Sequence, residues 1–383
     1  MSRTRIIYQS EGVYVSQNLA ATGSGQHAQL RRIQTANYSY EIPRTDVLQF
    51  GNLARIDSII TTTPTISADF SYYLGDGYNE KALSFFVSSS GGGGDGNFAS
   101  GAVTSVSGFN VYILTAGEGI DINSENGPAA LSGKGVVGLG NCYISNYSVS
   151  AAVGDLPTVS FSVEGLNISQ GLYYCNGATT GLVSPAIAPE SGVPLSLATG
   201  TRLPLPTPAT GNGIPTALRP GDITLSFGAL TGTSSTKAAP LANVDMSSSN
   251  SINIQSCELS LPLSQSPIQR LGSKFAFARV VDFPVTATLS VEALVNEQVS
   301  RNLAQMIEDT TDNDITVTVR KPGSTEVAIQ YTLKGAKLDS ESYTSDIGSN
   351  KSLSLSFSAQ IAGPNSLDKG IFCSGAYSGS VFS

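Results

Sequence analysis

Alternating apolar and polar residues, the pattern of a strand with one buried face, recur in two distant parts of the chain. Tyr38, Tyr40 and Ile42 alternate with polar residues, and about 220 positions later Leu259 opens a second alternating run. Placing Gly51 on Gly272 superimposes the two runs; the further matches are Val47 on Ile268, Phe50 on Leu271 and, after a one-residue slip, Pro64 on Pro284. The stretch Tyr38 to Asn79 is therefore predicted to be duplicated at Leu259 to Asn296.

The same order of predicted elements follows in both copies. Each copy has three strands, then an amphipathic helix, then further strands. The helices are predicted at Tyr78–Val87 and Asn296–Asp309, and the last two strands of the first copy, Cys142–Ala151 and Pro157–Glu164, form a hairpin at a Gly154 turn. Gly154 falls on Gly348 in the second copy. The pattern predicts an all-β protein with two tandem β domains, each carrying one short α-helix.

The remaining segments differ in composition from the two copies. We predict an N-terminal arm at 1–30, a first β domain at 31–170 and a second at 252–364, followed by a C-terminal tail at 365–383. The segment 171–251 is rich in Pro, Gly and Ser, and is interpreted as a connection or insertion with one strand at Ile223–Phe227. A structureless stretch of this length is uncommon, so it is expected to pack on its own domain or on a neighbour.

Charge and composition narrow the class of function. The net charge is −8 and the pI about 4.7, which argues against a protein that grips nucleic acid. Apolar residues make up 40% and charged residues 13%, as in a globular protein. The sequence has no apolar run of the roughly 20 residues that cross a bilayer, and its first residues lack the apolar core of a secretion signal.

No residue pattern specifies chemistry. His27 is the single histidine, and Cys142, Cys175, Cys257 and Cys373 are scattered, so a zinc site is disfavoured and four half-buried reduced thiols are expected, with one or two disulfides left open. The pair Gly133–Lys134 lacks phosphate-loop spacing. The acidic clusters that begin at Asp121 and at Asp309 are interpreted as solvated loops rather than calcium sites. We predict no catalytic, cofactor or metal residues and no enzymatic activity.

Four arginines in or beside the repeated strands are the candidate assembly residues: Arg44, Arg55, Arg270 and Arg279. Two interpretations stay open for them. They form ion pairs across a subunit interface, or they lie on solvated strand edges.

The segment Tyr143 to Gly165, YISNYSVSAAVGDLPTVSFSVEG, resembles the corresponding segment of tail tube proteins of long-tailed phages, as does the order of strands around one helix. The resemblance implies two tandem antiparallel β-sandwich domains, each with two packed sheets flanked by one short α-helix. It also implies rings of six domains around a DNA channel. A chain with two domains would need three copies per ring.

The same resemblance implies a major tail tube subunit of the virion, made in the host cytoplasm. Its partners would be its own copies, the tape measure, baseplate hub and terminator proteins, a sheath where one exists, and DNA that passes without tight binding. Ring stacking would use residues 1–30, the glycine-rich loop near Gly91 and the tail from Gly370. The segment 171–251 departs from the family pattern.

Two other classes remain open. One is a two-domain β-sandwich that decorates a capsid or binds a receptor or glycan; the other is an esterase-like or glycan-active β protein. The first would favour clustered exposed aromatic residues on loops, and the chain has no Trp. The second would favour a convergent polar site.

Overall fold

The computed structural model describes residues 6, 11–17, 26–89, 96–104, 108–117, 122, 134–173, 185–188, 217–229, 253–272, 275–276, 278–294, 312–345, 350–363 and 366–382. These residues form an almost entirely β structure, as the sequence predicts. The helices among the described residues are short: α1 (Tyr78–Ala82), α2 (Ser100–Thr104) and a 3-10 turn at Pro220–Asp222.

Nineteen strands account for most of the described chain. The strands of the first half are β1 (Glu11–Ser16), β2 (His27–Gln29), β3 (Ile33–Glu41), β4 (Arg44–Val47), β5 (Asp57–Ile60), β6 (Thr65–Tyr73), β7 (Phe109–Thr115), β8 (Lys134–Ala152), β9 (Thr158–Gly165) and β10 (Asn167–Tyr173). Those of the second half are β11 (Ile223–Ala229), β12 (Asn253–Pro262), β13 (Gln265–Ile268), β14 (Ala278–Val281), β15 (Thr286–Leu294), β16 (Asn313–Arg320), β17 (Val327–Thr344), β18 (Ser352–Gln360) and β19 (Gly370–Gly375).

The two halves have the same strand order. The first half pairs as β3-β6-β9-β8-β7 and the second as β12-β15-β18-β17-β16, with every pair antiparallel. In each half a separate two-stranded hairpin, β4-β5 or β13-β14, follows the first strand. The duplication expected from the pattern of the sequence is therefore present in the pairing of the strands.

The duplication holds residue by residue. Tyr38 lies opposite Ala68 in the first half, and Leu259 lies opposite Leu289 in the second. The long strands β8 and β17 are irregular at the same point, with a register shift between Ile144 and Asn146 and another between Leu338 and Ser340. A bulge is a local feature of one ladder, so its repetition at equivalent positions argues against chance similarity of two β-rich segments.

Each repeated unit extends beyond the predicted domain limits. β1 pairs with β7, and β11 pairs with the equivalent strand β16. Likewise β10 and β19 pair with the equivalent first halves of β8 and β17. The predicted arm, insertion and tail thus each contain a strand of a unit, and the units comprise residues 11–173 and 223–375. The sequence pattern misses this because β1, β10 and β19 do not alternate clearly.

Several local predictions need correction. The match of Pro64 with Pro284, which requires a one-residue slip, is wrong. Thr65 lies opposite Glu41, and the offset of 221 residues that places Gly272 on Gly51 also places Thr286 on Thr65 without a slip. The further strands expected after the second helix include one continuous long strand, β17, at Val327–Thr344. Cys142 and Cys373 are fully buried rather than half-buried, whereas Cys257 is half-buried.

The helix predicted at Tyr78–Val87 ends at Ala82. Ser84 has a left-handed backbone (φ 71°), which ends the helical run, and the apolar residues that follow pack into the core without helical geometry. Gly348 and the helix predicted at Asn296–Asp309 lie outside the described residues. Buried apolar residues from both units form one contiguous cluster.

Candidate assembly interface

The two units join edge to edge. Residues 146–150 of β8 pair on one side with β9 and on the other with β12, the first strand of the second unit. The result is a continuous antiparallel sheet of eight strands, β3-β6-β9-β8-β12-β15-β18-β17, which we call the central sheet. The β8–β12 ladder, the internal junction, shows how one unit recognises another.

One face of the central sheet carries hydroxyl groups almost throughout, and we call it the hydroxyl face. Along the six inner strands, alternate residues are largely buried; along all eight strands, the residues on the other face are mostly Ser, Thr, Asn or acidic. The outward residues include Thr35, Asn37, Ser39, Glu41, Ser67, Asp69, Ser71, Ser148, Ser150, Ser160, Ser162, Glu164, Glu258, Ser260, Thr288, Ser290, Glu292, Ser340, Ser342, Ser354, Ser356 and Ser358.

Hydrogen bonds cross between neighbouring strands on this face. The Ser39 and Ser67 hydroxyls lie 2.9 Å apart, and the Ser162 hydroxyl donates to the Asp69 carboxylate at 2.6 Å. Lys337, at the β17 edge, is a cation on this face, and it pairs with Asp312 at 3.7 Å. The face therefore presents neutral hydroxyls and carboxylates, with little positive charge.

The opposite face of the internal junction is apolar and closed. Leu259 and Leu261 of β12 are 5% and 0% exposed, opposite Val149 and Tyr147 of β8. Burying side chains of this size contributes roughly 1.5–3 kcal/mol each, so this side supplies most of the attraction between the units. The ladder hydrogen bonds set the register.

Arg279 of the second unit forms an ion pair with the first unit. Its side chain is 4% exposed, and its Nη1 donates to Glu164 Oε2 at 2.8 Å. The guanidinium also lies 5.2 Å from the ring centre of Tyr143. Arg279 lies on β14, so the β13-β14 hairpin folds back over the end of the first unit. Of the two interpretations left open for the arginines, Arg279 matches an ion pair across an interface, although that interface lies within one chain.

The other three candidate arginines are exposed. Arg55 pairs with Asp46 at 3.0 Å across the β4-β5 hairpin, with 62% of its side chain exposed. Arg44 lies in β4, and Arg270 lies beside Leu271 at the tip of the β13-β14 hairpin. The structure does not bring the four arginines together. Their role in contacts between copies stays a prediction.

A buried polar cluster also connects the units. The Tyr72 and Tyr147 hydroxyls donate to Glu80 Oε1 at 2.8 Å and 3.2 Å, and the hydroxyls of Tyr147 and Tyr331 lie 2.8 Å apart. Glu80 comes from α1 and Tyr331 from β17. Burial raises the pKa of Glu80 above its usual range, although the tyrosine hydrogen bonds oppose this effect. No feature of the sequence marked Glu80 as buried.

The two hairpins expose large apolar residues at the same end of the molecule. Gln269 Nε2 donates to Thr63 Oγ1 at 3.1 Å, which places the second hairpin beside the base of the first. Their turns match, because Gly51 and Gly272 both have left-handed backbone angles, φ 87° and 84°. The exposed apolar side chains are Leu48, Phe50, Leu53, Ile56, Ile59 and Ile60 in the first hairpin and Ile268, Leu271 and Val280 in the second.

The central sheet ends in two edges that have one partner each among the described strands. β3 pairs only with β6, and residues 337–344 of β17 pair only with β18. Tyr38 and Tyr40 of β3 are 40% and 60% exposed, although their equivalents Leu259 and Leu261 are buried in the internal junction. We call these the β3 edge and the β17 edge.

The three stacking candidates have different outcomes. The Gly91 loop lies outside the described residues. In the N-terminal segment β1 is mostly buried, and β19 after Gly370 is buried throughout, so these two strands belong to the sheet. A stacking role for the rest of each terminal segment stays a prediction.

The described residues hold no cluster of three or more potential metal ligands. Cys142, Cys257 and Cys373 are free thiols, and burial raises the pKa of Cys142 to about 12. Cys175 lies outside the described residues. Within the same part of the chain, no helix combines the length and the apolar character needed to cross a membrane.

Neither a protein-family model nor a curated protein matches this chain. Among solved structures, a chain from the cryo-EM structure of the anti-feeding prophage baseplate, symmetrised sixfold, is 15% identical. The match covers 45% of this chain and 99% of that chain, with a TM-score of 0.25. At so low a TM-score the likeness supports no conclusion about function.

Proposed function

We propose that this protein is a virion structural protein, the major tail tube subunit, and that three copies form a ring whose stacking builds a hollow conduit for phage DNA. The observation that carries the proposal is the internal junction. Two equivalent units already pair edge to edge in the chain, and the outer edges of the pair are left exposed.

The number of strands suits a channel. Three copies of an eight-stranded central sheet would close into a barrel of 24 strands. Barrels of 16–18 strands already enclose an aqueous channel, so a barrel of this size leaves a wider one. Closure also removes the open edges that otherwise invite uncontrolled association.

The hydroxyl face suits the wall of a DNA conduit. Phosphate groups bind tightly to clustered Lys and Arg, and this face carries carboxylates such as Asp69, Glu258 and Glu292 among its hydroxyls. A polyanion would be repelled weakly and would find few places to stick. The exposed apolar hairpins, all at one end, suit contacts between successive rings.

Electron microscopy of the purified full chain at high concentration tests this proposal. The expected result is stacked rings or tubes with threefold or pseudo-sixfold end views and an open centre. A protein that stays monomeric at every concentration, or that assembles into closed particles without a channel, contradicts it. Binding of the monomer to a capsid or a glycan would instead favour a decoration or recognition protein.

A further inference from the structure

Resting on the proposed function, we infer that the β3 edge of one copy pairs with the β17 edge of the next, antiparallel and in the register of the internal junction. The occupant of each exposed edge is a second copy of this chain. The internal junction provides the template, because β12 is equivalent to β3 and β8 is equivalent to β17.

The register follows from two equivalences. Ser260 and Ser39 are equivalent, because they lie opposite Thr288 and Ser67 in matching ladders. In the same way Ser148 and Ser342 are equivalent, opposite Ser160 and Ser354. Ser148 pairs with Ser260 in the internal junction. Ser342 of one copy therefore lies opposite Ser39 of the next.

The inferred pairing is consistent on both faces. In this register Ser39 and Asn37 of one copy meet Ser342 and Thr344 of the next, so the polar hydroxyl face continues across the contact between the copies. On the other face Tyr38 meets Tyr343, which is 46% exposed. A slip by one residue would place tyrosines on the hydroxyl face, so the side-chain pattern and the template select the same register.

Backbone hydrogen bonds identify the pairs that suit a disulfide. In the internal junction Val153 N donates to Gln255 O and Leu263 N donates to Ser145 O, both at 2.9 Å. Ser145 lies in β8 and Val153 follows its last residue, so the hydrogen-bonded pairs of this ladder fall at the odd residue numbers of β8. Ser148–Ser260, and by equivalence Ser342–Ser39, are thus non-hydrogen-bonded pairs, whose closer side chains can accept a disulfide.

The test is the double variant Ser39→Cys/Ser342→Cys, assembled at high protein concentration, oxidised mildly and run on a non-reducing gel. We expect covalent dimers and trimers, at least tenfold more abundant than in either single variant or in the unmodified chain, which controls for the native cysteines. Asn37→Cys/Thr344→Cys should behave alike. Ser39→Cys/Thr344→Cys, two residues out of register, should give little product.

Two further readouts keep the outcomes distinct. Ser148→Cys/Ser260→Cys should close a disulfide within one chain, which confirms that the template geometry accepts the bond. Rings seen by electron microscopy without the Ser39–Ser342 crosslink would contradict the inferred pairing of the β3 edge with the β17 edge and leave the proposed function standing. A folded double variant and an unmodified chain that both remain monomers would overturn both.

Discussion

At the scale of single residues, burial distinguishes the ion pair that is expected to stabilise the fold from the one that is not. Arg279 and Arg55 both form ion pairs at about 3 Å, yet only Arg279 is withdrawn from water. An exposed pair contributes little because water solvates both partners, whereas a guanidinium held against an aromatic ring and a carboxylate adds packing as well as charge. The sequence ranks the two arginines equally.

Replacing Arg279 by Met should lower the free energy of unfolding by about 1–2 kcal/mol, since the hairpin loses its ion pair while the half-exposed Glu164 can still be solvated. Arg55→Met is the matched control and should change it by less than about 0.5 kcal/mol. Urea denaturation of the dilute protein measures both. Equal effects would contradict the special role of Arg279.

Replacing Glu80 by Gln should change how stability depends on pH. The raised pKa of Glu80 means that the folded protein binds the proton more tightly than the unfolded chain. Its favourable contribution is therefore present at pH values below the usual 4.5 and is lost as pH rises through the folded-state pKa. The stability of Glu80→Gln relative to the unmodified protein should thus increase from pH 4 to pH 8.

Urea denaturation at pH 4, 6 and 8 checks this expectation. Glu326→Gln is the control. Glu326 is exposed, and its pKa is lowered by the hydrogen bond from Lys321, so its pH dependence has the opposite sign. A Glu80→Gln difference that stays constant or shrinks with rising pH would show that Glu80 is ionised freely in the folded state.

At the scale of elements, the repeated hairpins carry the largest exposed apolar groups. Phe50 and Leu271 occupy equivalent positions, at the two turns, and both side chains are fully exposed. Exposed apolar clusters of this kind mark contacts with other molecules. The hairpins are separate two-stranded sheets outside the ladders of the central sheet, so the two contacts of the proposed tube, stacking and closure, can be tested by separate variants.

The double variant Phe50→Ser/Leu271→Ser should form single rings but at least tenfold fewer stacked tubes, because it removes apolar contact between rings and leaves the sheet edges intact. Negative-stain electron microscopy and sedimentation measure the two species. Leu367→Ser, which alters an exposed leucine outside the hairpins, should stack normally. Tubes of ordinary length from the hairpin variant would place the stacking contact elsewhere.

At the scale of the whole molecule, the hydroxyl face becomes meaningful only as a continuous surface. Single Ser and Thr residues at outward strand positions are ordinary. Eight adjacent strands with this composition and few cations form a broad surface that has little attraction for phosphate.

Introducing lysines on this face should make the assembled protein hold DNA. In Ser160→Lys/Ser290→Lys tubes, a short DNA duplex should be retained at low salt and released as salt rises, because phosphate binding releases counterions. Co-sedimentation measures the retention. Leu367→Lys should retain no more DNA than the unmodified tubes. Equal retention by both variants would show that the hydroxyl face does not line the channel.

The sequence by itself determined the all-β class, the duplication and its offset, because strand periodicity and glycine turns are local properties of the chain. It did not reveal that β1 and β11, or β10 and β19, are equivalent, since those strands are defined by their partners rather than by their own pattern. Only the tertiary structure decided that Arg279 is buried while Arg55 is exposed, that Glu80 lies among tyrosines, and that two edges of the central sheet have a single partner strand each among the described strands. The burial of a side chain and the partners of a strand depend on which strands pack together. Strands that are distant in the sequence make those contacts, so the local pattern of residues does not reveal them.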